Sequence, residues 1–456
     1  MFTTAPGNPE PSSLATGTRN RRDALRPVSP LEEIEQAVHA RAKAVVLDLD
    51  GADGEHHLRE LIDEEIRRWE DEYQRGTRAH PLLDPSGVAE RAFRNIARYG
   101  PLTALLEDDD VWEVMINGPS EIFVKRHRGL GGYHDEVFED DDHVIRTLTK
   151  ILDESSTSHR KLDPTEGLQD AQLDTGARLH IVHGDLARGG HIMVNIRKFT
   201  GVAYTRLDEL VDQGMMTDEV ARFLAACVQA RASIVFAGAP GSGKTTLLSC
   251  CAGELDPTLR VVTAEEVFEL DIPIANLASL QTRAPRADRP GIDLRRLVSG
   301  FLRMAPDVAI VGEVRDREAL PLLLTLSSGV TGYTTIHAGS ARQALTRLRF
   351  ICQLADTGSE LPLSALNTLV SEAVDVVVHA ERGPDGPRVT GVIAVEELVA
   401  GAEASQFTVT EVFGRRTIRD QIVSTGAVPS RLGALFEHAG LDITDHIGDH
   451  ATDIPR

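Results

Sequence analysis

An α/β fold with a doubly wound, mostly parallel sheet is predicted by two observations. Between residues 217 and 375, short apolar runs alternate with segments of helical periodicity, and strand–helix alternation at that spacing builds a parallel sheet covered on both faces. Within this stretch, Gly238-Ala-Pro-Gly-Ser-Gly-Lys-Thr245 stands between the strand-like run Ala232 to Ala237 and the helical run that starts at Thr246. Strand, glycine turn and helix arrive in the order a phosphate cradle requires.

The elements ahead of that core follow from caps and periodicity. Residues 1–28 are rich in Pro, Ser, Thr, Gly and Arg and poor in apolar side chains, which predicts a disordered arm. Ser29-Pro-Leu-Glu32 places an N-cap, a first-turn Pro and a capping-box Glu in register, so a helical N-terminal domain is expected over 29–99. Its second helix, from about His56 to Arg75, carries Leu58, Leu61, Ile62, Ile66, Trp69 and Tyr73 at helical spacing, and a third spans Ser86 to Tyr99. A small α/β domain is expected over 100–199. Its strands are Val111 to Ile116, Glu121 to Lys125 and His191 to Arg197, with a hairpin turn at Leu173 to Arg178. The acidic run Glu139 to Asp142 fits the first turn of a helix continuing to Asp153. A linker over 200–216, the nucleotide domain over 217–375 and a C-terminal extension over 376–456 complete the expected organisation.

Composition narrows the function. The 456 residues carry a net charge of −22 and only 4% aromatics, which disfavours both a duplex-binding surface and a stacking platform for single strands. The four cysteines, Cys227, Cys250, Cys251 and Cys352, include no C-x-x-C pair, so no zinc ribbon is formed and a reducing compartment fits. No stretch reaches 18 consecutive apolar residues and Met1-Phe-Thr-Thr begins no signal-like pattern, so a cytoplasmic location is expected, with any membrane link made through partners.

The candidate site grows from the glycine loop. Gly238, Ala239, Pro240, Gly241, Ser242, Gly243, Lys244, Thr245 and Thr246 form a P-loop: backbone N–H groups face the phosphates, Lys244 reaches the outer ones, and Thr245 ligates Mg²⁺. ATP and Mg²⁺ are therefore the expected substrate and cofactor. Val308 to Val311 reads as the second fixed strand of such a core, but ends in Gly312-Glu313 where many P-loop enzymes carry Asp. Glu313 is a candidate for the metal or the nucleophilic water. Glu265 and Glu266 follow the strand from Arg260 to Thr263; a carboxylate there can take a proton from water, and adjacent side chains on extended chain point oppositely, so one of the two faces the nucleotide. His337, after the strand Gly332 to Ile336, is placed to bond a terminal phosphate. Arginines outnumber acids between Arg283 and Arg317, a pattern suited to phosphates or to acidic neighbours across subunits.

Taken together these motifs resemble the secretion-superfamily ATPases of type II secretion, type IV pili, archaeal flagella and type IV secretion. The P-loop, the acidic box Thr263-Ala-Glu-Glu266, the segment Leu302 to Arg315 containing Gly312-Glu313, and the His box Gly329 to Ala338 come in the family's order. Val114-Met-Ile-Asn-Gly-Pro119 and Asp174-Thr-Gly-Ala-Arg178 are similar to its N-terminal domain. Lacking a four-cysteine hairpin, the chain looks most like the Tad/Flp pilus-assembly, CpaF-like branch. The resemblance implies a RecA-like P-loop NTPase domain, a hexameric ring, nucleotide bound between two domains, hydrolysis shared by Glu265 and Glu313, and Arg178 and Arg197 offered to the phosphates. It further implies inner-membrane platform proteins as partners and pilus assembly or protein secretion as the task, with no direct nucleic-acid binding. The alternatives it leaves are a conjugation-type export ATPase and a nucleotide-gated scaffold with little turnover.

Overall fold

The computed structural model describes residues 29–45, 52–127, 131–155, 161–198, 204–283, 289–354, 361–383, 385–398, 406–415 and 420–448. The arm expected over 1–28 lies outside them. The chain divides into two compact units, one of residues 1–107 with 136–151, the other of residues 108–135 with 152–456.

The first unit is helical. Helices α1 (Pro30–Val45), α2 (Ala52–Gln74) and α3 (Pro85–Ala97) bury Ile34, Val38, Leu58, Ile62, Trp69, Phe93 and Ile96 in one core, as the spacing requires. Ser29 caps α1 by accepting the Glu32 amide hydrogen, and Asp84 caps α3 through Gly87. A short α4 (Leu102–Glu107) follows. The acidic run does start a helix, α5 (Asp141–Glu154), with Asp140 accepting from the His143 amide.

The second unit contains both sheets. Strands β1 (Val111–Gly118), β2 (Glu121–Arg126), β3 (Gly132–Tyr133), β4 (Leu168–Gln172), β5 (Arg178–Val182) and β6 (Met193–Arg197) form an antiparallel sheet in the order β3-β2-β1-β6-β5-β4. The turn from β4 to β5 is the expected one, with Gly176 at φ 83°. Between this sheet and the next, the expected linker holds a helix, α6 (Leu207–Asp212), because Leu207 and Leu210 are buried and the Glu209 carboxylate accepts the Thr205 and Arg206 amides at its start. Helix α7 (Asp218–Gln229) is capped by Thr217.

The nine-stranded sheet comprises β7 (Ile234–Gly238), β8 (Val261–Glu265), β9 (Leu277–Gln281), β10 (Val308–Val311), β11 (Thr331–Ile336), β12 (Val376–Gly383), β13 (Gly386–Val395), β14 (Val409–Gly414) and β15 (Val423–Ser424), in the order β15-β14-β13-β12-β7-β11-β10-β8-β9. From β12 to β9 every pairing is parallel, and the β13 to β15 edge is antiparallel. The segment expected as an extension from 376 therefore belongs to the same sheet: β12 lies directly beside the P-loop strand β7. Helix α8 (Lys244–Gly253), α7 and the last helix cover one face; α9 (Leu294–Val298), α10 (Ala319–Leu326), α11 (Ala341–Leu354) and α12 (Leu363–Ala373) cover the other, and α13 (Ser430–His438) is that last helix. Beyond α9 the chain passes through a 3₁₀ turn at Phe301–Met304 and a left-handed Ala305 at φ 50° before Pro306.

Candidate functional site

The central strands β7, β8, β10 and β11 are buried on every residue, as parallel strands between two helical layers must be. Their C-terminal ends deliver the P-loop, Glu265, Gly312-Glu313 and His337 to one edge, where open α/β sheets bind ligands. The P-loop tolerates no side chain at its first glycine: a Cβ on Gly238 would fall 2.2 Å from the Ala380 carbonyl oxygen on β12. Gly243, at φ 84°, starts α8, and a Cβ there would meet Met215 at 2.7 Å.

Lys244 is buried, and burial depresses its pKa to about 8 against the attraction of Glu313, with Arg197 and Arg315 adding to the depression. Its Nζ donates to the Ala239 carbonyl at 2.9 Å and lies 3.2 Å from His337 Nδ1. An ammonium only donates, so Nδ1 can accept from Lys244, and the Gly238 carbonyl oxygen lies at the same 3.2 Å from Nδ1; on the other side of the ring, His337 Nε2 approaches Glu313 Oε1 to 2.8 Å, within ion-pair distance. The other Glu313 oxygen takes a bond from Arg315 at 2.6 Å. Burial would raise the Glu313 pKa, but the bonds from His337 and Arg315 hold it well below the usual carboxylate range. Lys244, His337, Glu313 and Arg315 thus stand in one contiguous row, each within 3.2 Å of the next.

The two glutamates of the acidic box separate as alternation requires. Glu265 ends β8 and is 3% exposed; Glu266 is exposed. Oε1 of Glu265 accepts the Glu269 and Leu270 amides at 2.9 and 3.0 Å, while its Oε2 is buried with no partner. Burial pushes its pKa up to about 7 in spite of those two bonds. A buried carboxylate that titrates near neutrality and keeps one free lone-pair face is suited to accept a proton. Glu266 instead pairs with Arg178 at 3.4 Å and with Arg315 at 3.2 Å.

The antiparallel sheet supplies the cations. Arg178 on β5 stands opposite Arg197 on β6. In this conformation Arg178 is held by Glu266 and Glu269, the latter at 3.1 Å, and Arg197 is near enough to Lys244 to lower its pKa. Two further arginines join the site, Arg315 from the cluster between Arg283 and Arg317, and Arg382. Arg315, two positions past Glu313, bridges Glu313 to Glu266; its spacing on extended chain was the available signal. Arg382, at the end of β12, contacts the P-loop, and nothing in its sequence context marks it.

Thr245, at the head of α8, and Glu313 offer the oxygen donors a hard divalent cation takes. Among the described residues no group of three or more His, Cys, Asp or Glu side chains converges on a metal position. A cation here would draw its remaining ligands from phosphate and water, as Mg²⁺ does in nucleotide sites.

Comparison with known proteins relates the chain to a family. Residues 96–419 match the type II/IV secretion system protein family. The type IV secretion system protein PtlH of Bordetella pertussis is 31% identical over 304 residues, covering 61% of this chain and 87% of the relative. The conjugal transfer protein TrbB of Rhizobium radiobacter is 31% identical over 313 residues, covering 65% and 87%. Among solved structures, the VirB11 ATPase of the Brucella suis type IV secretion system aligns at 28% identity over 64% of this chain and 94% of its own, with a TM-score of 0.34.

Proposed function

The chain belongs to the type II/IV secretion system protein family, and from that premise we propose that this ATPase is the motor of an export or pilus-assembly machine, driving a membrane platform by ATP hydrolysis. The observation that carries the reading is the row of close contacts from Lys244 through His337 to Glu313. One such row joins three boxes separated widely in sequence, and a γ-phosphate arriving at Lys244 must break or replace it.

In this mechanism the P-loop amides and Lys244 hold the phosphates, and Thr245 with Glu313 would hold Mg²⁺, which supplies neutralisation of phosphate charge. Glu265 takes the proton of the attacking water through its unpartnered Oε2. Glu313, kept ionised by Arg315 and His337, is the poorer base and the better electrostatic anchor. Arg178 and Arg197 neutralise the phosphoryl group in the transition state once Arg178 leaves its glutamates. Hydrolysis would then restore the Lys244–His337–Glu313 link and reset the site.

The names of the two relatives support a type IV secretion or conjugation-type exporter, while the lack of a four-cysteine zinc hairpin suits a Tad-type pilus motor equally. A hexameric ring acting at the cytoplasmic face of a membrane platform fits both, and among the described residues no helix is long and apolar enough to cross a membrane. Purified protein should hydrolyse ATP, and Lys244→Ala and Glu313→Ala should each abolish turnover. Wild-type hydrolysis by either variant would remove the assigned roles. Co-purification of a relaxase or DNA, as against pilin and platform proteins, decides between export and pilus assembly.

A further inference from the structure

The P-loop is tied to the antiparallel sheet by one side chain. Arg382 follows the β12 residue Ala380, which pairs in register with Gly238. Its guanidinium donates to the Gly241 carbonyl at 3.2 Å, to the Arg126 carbonyl at 3.1 Å and to the His127 carbonyl at 2.9 Å. Among the described residues no carboxylate lies within ion-pair distance of this exposed guanidinium, and its three side-chain hydrogen bonds all go to backbone carbonyls. The Arg126 carbonyl also accepts the Trp112 indole N–H at 3.3 Å. A Cβ on Gly241 would sit 3.6 Å from Trp112 Cζ2, so the indole covers the loop tip that Arg382 grips. The Arg126 side chain turns the other way, to Asp108 at 2.7 Å.

We propose that Arg382 is a positioning residue for nucleotide binding: it fixes the Gly241 peptide and seats the end of β2, with Trp112, on the P-loop. With the Gly241 carbonyl drawn outward to Arg382, the N–H of Ser242 in the same plane points the opposite way. In this state that N–H closes on the Ala239 carbonyl at 3.2 Å, the same oxygen that holds Lys244. A phosphate entering the loop competes for both donors at once. Gly241 sits at φ 74° and has no side chain to lock it, so an external grip is what keeps the peptide from flipping. A fork with several donors can hold three carbonyls, whereas a lysine ammonium is a point charge on a flexible stem.

The inference rests on the reading that this loop binds nucleotide, and its test separates the two. Arg382→Ala and Arg382→Lys would be compared with wild type for steady-state ATP hydrolysis, ADP affinity and tryptophan emission, with Trp112→Phe as the blank that isolates the Trp112 signal. The expected result is a rise in KM and in the ADP dissociation constant of roughly three- to tenfold, the size of about one ordinary net hydrogen bond, as suits an exposed guanidinium, with kcat at saturation within about twofold of wild type. Arg382→Lys should recover only part of the affinity. In the absence of any nucleotide, Arg382→Ala should shift the Trp112 emission to the red as the indole leaves the loop, and the shift should vanish on the Trp112→Phe background. An unchanged KM, a loss confined to kcat, or an unaltered Trp112 emission in folded Arg382→Ala would each overturn the proposal. If wild type itself neither binds ADP nor hydrolyses ATP, the nucleotide reading fails, and the nucleotide-free emission still decides whether Arg382 seats Trp112.

Discussion

Gly312 and Glu265 share one space at the edge of the sheet: a Cβ built on Gly312 would stand 3.0 Å from Glu265 Cγ and 3.4 Å from its Oε1. The strands that carry them, β10 and β8, are parallel neighbours, with Val311 paired to Ala264. The missing side chain at the end of β10 is therefore what lets a second carboxylate lie across that strand. An Asp at Gly312, common in other P-loop enzymes, would occupy the position Glu265 takes. Gly312→Ala is expected to cost about 1–3 kcal/mol through overpacking and to lower kcat by tenfold or more as Glu265 is displaced. On a Glu265→Ala background the same substitution should be close to neutral in stability. Denaturant unfolding of the four proteins of this cycle checks it; an equal cost on both backgrounds would refute the shared space.

The pKa values around the phosphate site set a pH profile. Glu265, raised by burial to about 7, must lose its proton to act as base, so kcat/KM should rise with pH through about 7. Lys244, lowered by burial to about 8, must keep its proton to hold phosphate, so kcat/KM should fall as pH passes about 8. The free-enzyme profile is then a narrow bell. Glu266→Gln should leave the acid limb in place, because Glu266 is exposed and bonded to arginines. Disappearance of the acid limb in that variant would reassign the base.

Arg178 is poised but occupied. Its guanidinium meets Glu266 at 3.4 Å and Glu269 at 3.1 Å; Glu266 is exposed and the other two are half-buried. Pairs of this kind are worth about 0–1 kcal/mol, small enough for a phosphate to compete away. Glu269→Gln should release Arg178 and tighten binding of a non-hydrolysable ATP analogue about two- to fivefold. Arg178→Ala should reduce turnover far more than binding. Calorimetric titration of both variants tests the pair, and a weaker-binding Glu269→Gln would contradict the competition.

Much of this site was legible from residue order because its chemistry rides on strand ends. The P-loop, His337 and Glu313 each follow an apolar run, and alternation at Glu265-Glu266 demanded that one glutamate face inward. The identity of the buried one was decided by packing against Gly312, a contact between strands 47 residues apart in the chain. Arg382 escaped notice because its acceptors are backbone carbonyls, which leave no side-chain signature. The strands after residue 376 look like a separate extension in sequence because joining β12 to β7 is a long-range parallel pairing that local pattern does not encode. The helix α6 was missed for a related reason: six residues are too few to show periodicity.

The helical unit carries its own pH dependence. Glu35 on α1 is 8% exposed and accepts a bond from Asn95 Nδ2 at 2.6 Å. Burial raises its pKa from 4.5 to about 7; the Asn95 bond and Arg146 oppose the rise, and Glu139 and Glu32 add to it. His39 and the buried His143 have pKa values depressed by burial, that of His143 to about 4, so neither is charged at neutral pH to offset Glu35. A carboxylate whose folded pKa is raised favours the folded state fully below its unfolded value near 4.5, and that contribution is lost as pH climbs through about 7. The 2.5-unit shift corresponds to a swing on the order of 3 kcal/mol. Glu35→Gln keeps an acceptor for Asn95 and cannot ionise, so the variant should unfold at a higher temperature than wild type at pH 8 and match it near pH 4. Thermal unfolding followed across that pH range checks this directly. A difference of the same size at both ends would mean that Glu35 acts through shape rather than through its proton.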